Sequence, residues 1–333
     1  MSLRSHVLRS RAPGLAWRSP WLTCRRAAVA LVALLLLIPN SSVLEHRAIV
    51  GVFLLALFTG RGRVFVVDWL PLVGAAAGFV ALRQLAGLSP LPHQGEAVAH
   101  MEATLFGGVM PSAWLQARLY LPGHAGWLDY ATTAVHASYF FGFAFVGLGL
   151  WLWAHEQFAR YVRVLAVVFA LGLAGYALAP TEPPWLAARE SWGPPVHRIL
   201  AETARGTRLT AGIVAAGEQW QHDPEALGDP NPTAAMPSVH TAVTVTLAIA
   251  LARVHPALGV LGAIYALAMG FSLVYLGEHY VLDVMVGVAC ALAAMWIVDW
   301  VAGYQRTSPW WERRATSAPR RGGTWPPAPA SPH

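Results

Sequence analysis

Two short segments carry residue types that together could move a phosphoryl group. The first, Gly277-Glu278-His279-Tyr280-Val281-Leu282-Asp283, opens an apolar run. Read as helix, it puts His279 and Asp283 at i and i+4 on one face, so the carboxylate can accept a proton from one ring nitrogen and leave the other basic and aimed. An oriented imidazole of this kind is what nucleophilic attack on phosphorus needs. A polar pair that merely satisfies itself at a helix end is the competing reading. It is disfavoured because ionisable groups at the edge of a membrane span are costly and usually mark a functional path.

The second segment is Ala235-Met236-Pro237-Ser238-Val239-His240-Thr241. Proline suits a first helical turn, where its missing N–H costs nothing, so Pro237 predicts a helix start there. Free first-turn N–H groups, the positive dipole end and the Ser238 hydroxyl would form a receptor for a phosphate, with His240 in reach as a proton donor. Alone, Pro-Ser-x-His describes ordinary helix-start chemistry equally well. A Ser-x-His helix start suits an anion better than a cation, so neither a metal nor a diffusible cofactor is expected.

The elements that must position these groups are set by composition. Apolar residues make up 56% of the 333 positions, above the roughly 45–50% of soluble domains, and a bilayer is the expected solvent. A spanning helix needs about 20 mostly apolar residues. Eight such spans are read near 26–42, 45–60, 64–87, 130–153, 162–180, 236–254, 257–276 and 279–302. The expected fold is all-α: a polytopic transmembrane helical bundle. Its parts are a basic cytoplasmic tail (1–26), N-terminal spans with a first outer loop (27–129), a catalytic membrane domain (130–302) and a disordered cytoplasmic tail (303–333). Cys24 and Cys290, the two cysteines, offer no disulfide framework.

The chain has no lysine, so its 23 basic residues are arginines, and the net charge is +6. They gather outside the apolar runs, which speaks of topology and against nucleic-acid binding. With a retained first helix, the positive-inside rule puts both termini in the cytoplasm. The sixth span then descends, the seventh returns, and His279 begins the eighth at the face where His240 began the sixth. That face is extracytoplasmic, at the plasma membrane. Two long segments on the same face, 88–129 and 181–235, are expected to fold over it. His136 and Tyr139 start the fourth span there and are candidates to line a substrate path, with ordinary packing an equal alternative. Glu182 and Glu278 flank the expected site. Trp151, Trp153, Trp296 and Trp300 are read as interfacial aromatics, and Arg83 as snorkelling to the surface.

Pro-Ser-x-His followed about forty residues later by Gly-x-His-Tyr-x-x-Asp resembles the second and third signatures of the type-2 phosphatidic acid phosphatase superfamily, the lipid phosphate phosphatases. The Pro180-Thr181-Glu182-Pro183-Pro184 segment is similar to the bacterial relatives of inositol phosphorylceramide synthase. The resemblance implies a six-helix phosphatase-like core. It also implies His279 as a nucleophile forming phosphohistidine, Asp283 as its orienting partner, His240 as general acid, and Ser238 in the phosphate cradle. The substrate would be a phospholipid or polyprenyl phosphate, handled by transfer to an alcohol as in an inositolphosphotransferase, or by hydrolysis. This sequence departs from the pattern where Leu273 replaces an arginine of the third signature, where lysine is missing from the first, and where Trp185 stands in a position often held by arginine. Another cation must then meet the phosphate. Arg189 is the first candidate, and Arg198, Arg205 and Arg208 are the reserves. The same losses support a rival reading as a non-catalytic transporter or scaffold.

Overall fold

In lipid every backbone N–H and C=O must pair within its own segment, so long apolar runs fold as helices. The computed structural model describes residues 62–206 and 233–307, and these form a bundle of long helices with a layer of short ones at one end. The long helices are α1 (Gly62–Ala86), α4 (Trp127–Trp153), α5 (His155–Leu178), α8 (Val239–Val254), α9 (Pro256–Tyr275) and α10 (Val281–Thr307). The short ones are α2 (Gly95–Leu105), α3 (Pro111–Leu119), α6 (Pro184–Arg189) and α7 (Ile199–Gly206). The sole extended pairing among the described residues is a parallel bridge from Thr181 to Ala234.

Five of these helices are long and apolar enough to cross a membrane: Val64–Ala86, Trp127–Trp153, His155–Leu178, Pro256–Tyr275 and Val281–Tyr304. They mark the chain as an integral membrane protein with a polytopic helical bundle. The sixth expected span is present as α8, at 16 residues. At about 1.5 Å per residue it reaches about 24 Å, short of a hydrocarbon core of about 30 Å. The first two expected spans, the N-terminal tail, the C-terminal tail beyond residue 307, Cys24, Arg208 and the side chain of Arg205 lie outside the described residues; residues 303–307, expected to open a disordered tail, continue α10 as helix.

The start of α5 and the place of Trp151 differ from the sequence reading. α5 begins at His155 rather than 162, because the charged stretch before the apolar run is also helical: Arg160 pairs with Asp299 of α10 at 2.7 and 2.8 Å. Trp151 is not an interfacial aromatic. It is buried in the bundle, donates to Asp68 Oδ2 at 2.8 Å and packs edge-on against Phe65. Trp153, Trp296 and Trp300 are exposed on the bundle surface.

α8 is the central helix, packed against α4, α5, α9 and α10. At Gly287 of α10 an added Cβ would collide with the Ser238 carbonyl oxygen. The missing side chain lets α10 lie directly on the start of α8. The short helices cover this same end. Glu102 of α2 reaches the first turn of α10, Gln116 of α3 donates to the Tyr275 carbonyl at the end of α9, and Thr203 of α7 bonds Thr133 of α4. Short helices within both long connecting segments therefore close over one end of the bundle.

Candidate functional site

The turn from α9 into α10 builds half of the site. α9 ends at Tyr275 with Leu276 as its cap, and Gly277 follows in the left-handed region at φ +79°. Gly277 N–H donates to Val274 O at 3.2 Å and Glu278 N–H to Leu273 O at 3.1 Å, the paired bonds of a Schellman motif. An added Cβ at Gly277 would meet the His197 carbonyl oxygen and Val196 Cγ1, each at 2.9 Å. Glycine is thus required here twice over, by backbone conformation and by space.

α10 starts at Val281, two residues after His279, so His279 precedes the helix instead of lying on its face. What holds it is a cap. Asp283 sits at the third helical position and its Oδ2 accepts the Tyr280 N–H at 2.8 Å, the reverse half of a capping box. The same oxygen lies 3.3 Å from His279 Nδ1. Asp283 is fully buried and His279 is 5% exposed. One carboxylate oxygen therefore fixes the entry to the helix and one face of the imidazole. The other ring nitrogen, Nε2, lies on the opposite edge of the ring from that carboxylate.

The start of α8 builds the other half. Here too the structure corrects the expected geometry: Pro237 precedes the helix, and Ser238, not proline, begins it as N-cap. Ser238 Oγ accepts from Thr241 N–H at 3.3 Å and from Thr241 Oγ1 at 3.1 Å. Its own N–H donates to the Asp283 carbonyl at 3.1 Å, tying the two helix starts together. The first-turn N–H groups of Val239 and His240 have no intrahelical acceptor by the geometry of a helix start.

The two histidines meet across this junction. The His240 and His279 ring centroids are 5.6 Å apart at an interplanar angle of 67°. On the far side of His240, α4 supplies Tyr139 at 4.3 Å and His136 at 4.9 Å between ring centroids. His136, Tyr139, His240, Ser238, His279 and Asp283 are thus gathered at one end of the bundle from three helices.

The expected cations separate. Arg189 is exposed at the end of α6. Arg198, just before α7, is brought in: its guanidinium donates to Glu278 at 2.8 and 3.2 Å and lies 4.4 Å over the Trp185 ring. Burial opposes ionisation of Glu278, yet the Arg198 charge and hydrogen bonds hold its carboxyl below the usual value. Trp185, in the position where arginine was expected, is the platform on which an arginine from elsewhere rests. Arg83 is half-buried, 6.0 Å from the Tyr176 ring.

Two site-end residues were missed by sequence reasoning. Gln116 bridges the layer, donating to His197 O at 2.9 Å and Tyr275 O at 2.8 Å and accepting from His197 N at 2.7 Å. Glu102 is wholly buried and accepts the Leu282 N–H at 3.2 Å. Neither short helix carries a sequence signal that singles these residues out, since both mix polar and apolar residues. Glu182 accepts from Gly95 N–H at 3.0 Å and pairs with His93, pinning α2 to the segment before α6.

A family profile described as the PAP2 superfamily matches residues 96–297. The match covers more than half of the chain and takes in both histidine segments and the short helices from α2 onward. The chain belongs to the PAP2 superfamily. Membership supports phosphoryl transfer or hydrolysis on lipid phosphates as the general chemistry. No curated protein and no solved structure matches the chain.

Proposed function

We propose that this protein transfers a phosphoryl group from a lipid phosphate to an alcohol through a phosphohistidine on His279, as an inositolphosphotransferase does, at the extracytoplasmic face of the plasma membrane. The observation that carries the reading is the 5.6 Å separation of the His240 and His279 rings, with Asp283 behind His279. A phosphorus atom between the rings is in reach of both.

His279 Nε2 attacks phosphorus while Asp283 holds the Nδ1 proton and offsets the charge growing on the ring. The P–O bond to the lipid breaks as the P–N bond forms, and protonated His240 gives its proton to the leaving oxygen. An acceptor hydroxyl then passes its proton back to His240 and attacks phosphorus, releasing His279. Val239 and His240 N–H groups at the α8 start, with Arg198, supply compensating positive charge to the phosphoryl oxygens. His136 and Tyr139 line the approach, and Arg189 at the rim guides the anionic head group.

Hydrolysis is the second reading, favoured by the phosphatase chemistry of the superfamily, and replaces the acceptor hydroxyl with water. Incubating the purified protein with labelled phospholipid, with and without polyol, separates them. Labelled phosphopolyol is the expected product. Inorganic phosphate as sole product excludes transfer.

A further inference from the structure

α2 carries a carboxylate that the mechanism above leaves unused. Glu102 is fully buried, its Oε2 takes the Leu282 N–H at 3.2 Å, and its Oε1 has no partner among the described residues. Leu282 is the second helical position of α10, so this bond satisfies one of the orphan donors at the helix start. Asp283, the next residue, places a second carboxylate in the same turn, also fully buried and with its Oδ1 unpartnered. Like charges this close in low dielectric oppose each other's ionisation, and the Asp283 charge adds to the cost of ionising Glu102. Asp283 is the one backed by the His279 ring and the Tyr280 N–H.

We propose that Glu102 is a positioning residue for the His279–Asp283 pair, gripping the first turn of α10 through Leu282 and holding the proton so that Asp283 stays ionised. The inference rests on the reading of His279 and Asp283 as nucleophile and orienting partner. Burial raises the Glu102 carboxyl to about 7, the Leu282 N–H opposing and the Asp283 charge adding to the rise. The charged and titratable groups around it are few. α10 supplies Asp283, and the residue before the helix is Tyr280, whose hydroxyl is buried with no partner among the described residues. Glu182 approaches Tyr280 from the segment before α6, paired with His93, and Arg189 of α6 is exposed.

The consequence is directional. Neutral Glu102 leaves the pocket with one carboxylate behind His279. Ionised Glu102 adds a negative charge beside an anion-binding site and weakens substrate binding before it affects the chemical step. Raising the pH through about 7 should therefore raise KM more than it lowers kcat.

The test uses the full chain in lipid nanodiscs with a short-chain phosphatidic acid as probe. The wild-type infrared spectrum at about pH 6 should show the C=O stretch of a buried protonated carboxyl. The band should disappear at about pH 8.5 and be missing from Glu102→Gln at both. Wild-type KM should rise about tenfold across that interval, the size of a one-unit coupling. In Glu102→Gln it should stay flat. Glu102→Ala, which frees the Leu282 N–H, should lose more kcat than Glu102→Gln. An acid band that survives in Glu102→Gln, or the same KM rise in that variant, overturns the inference. His279→Ala, measured alongside, separates the two claims: full turnover in that variant sinks the nucleophile, while the infrared band still decides where the proton sits.

Discussion

Replacing Asp283 by Asn probes the charge behind His279 with little else disturbed, because both contacts of the side chain converge on one oxygen. Oδ2 accepts Tyr280 N–H at 2.8 Å and lies 3.3 Å from His279 Nδ1, while Oδ1 has no partner among the described residues. An asparagine with its carbonyl in the Oδ2 position keeps the helix cap and the ring orientation. What is lost is the charge. Hydrogen bonds to charged groups contribute about 1.5–3 kcal/mol and neutral ones about 0.5–1.5 kcal/mol. The difference of about 1–1.5 kcal/mol corresponds to a fall in kcat of about tenfold. Stability should change by less than about 1 kcal/mol, since one unpartnered polar atom replaces another. Asp283→Ala removes the acceptor altogether. It leaves the Tyr280 N–H unpaired at a cost of about 1–3 kcal/mol, frees the ring tautomer, and should lower kcat by about a thousandfold or more. Steady-state turnover of a lipid phosphate in mixed micelles, beside melting in the same detergent, gives both quantities. Wild-type kcat in Asp283→Asn, or equal losses in the Asn and Ala variants, would refute the orienting charge.

Arg198→Ala strands the buried Glu278 carboxylate and should destabilise the protein by about 3–5 kcal/mol. Adding Glu278→Gln should restore melting but leave KM raised about tenfold or more if Arg198 meets the phosphate; wild-type KM in the double variant removes that role. Gly277→Ala forces a left-handed alanine and a Cβ at 2.9 Å from the His197 carbonyl, and a loss of about 2 kcal/mol or more in chemical denaturation is expected. Because folded Glu102 holds its proton up to about 7 against 4.5 for the free group, the folded state binds more protons in that window. Its contribution is thus most favourable below about 4.5 and declines until about 7. Melting temperature should fall across this range and the fall should be shallower in Glu102→Gln.

Ser238, His240, His279 and Asp283 were legible because they cluster at two helix starts, where sequence signals are local. His136 and Tyr139, expected to start the fourth span, instead lie well inside α4, which begins at Trp127. Pro237 marked the start of α8, although Ser238 is the residue that caps it. The geometry was less legible. The i, i+4 spacing paired His279 with Asp283, but the pair is held by a carboxylate reaching back to the N-cap, since α10 begins only at Val281. A spacing of four residues fits both arrangements, and the helix start decides between them.

Contacts between distant segments were not legible at all. Glu102 and Leu282 are 180 positions apart, and Gln116 and Tyr275 159. Glu102 and Gln116 lie in short helices whose mixed composition carries no spanning signal. Arg189 was preferred for its nearness to Trp185 in sequence, yet the chain turns back after α6 and sets Arg198 over the Trp185 ring. Neighbourhood along the chain was a poor guide because the turn between residues 190 and 198 reverses it.

The central claim is that one phosphoryl group passes through the imidazole of His279 while His240 serves the leaving oxygen. Quenching the protein with 32P-labelled lipid phosphate in alkali, then mapping the label by peptide, tests it most directly. The account predicts an acid-labile, alkali-stable phosphate on the peptide bearing His279, lost in His279→Ala and slow to form in His240→Ala. Wild-type turnover persisting in both variants, with no label at His279, would contradict it.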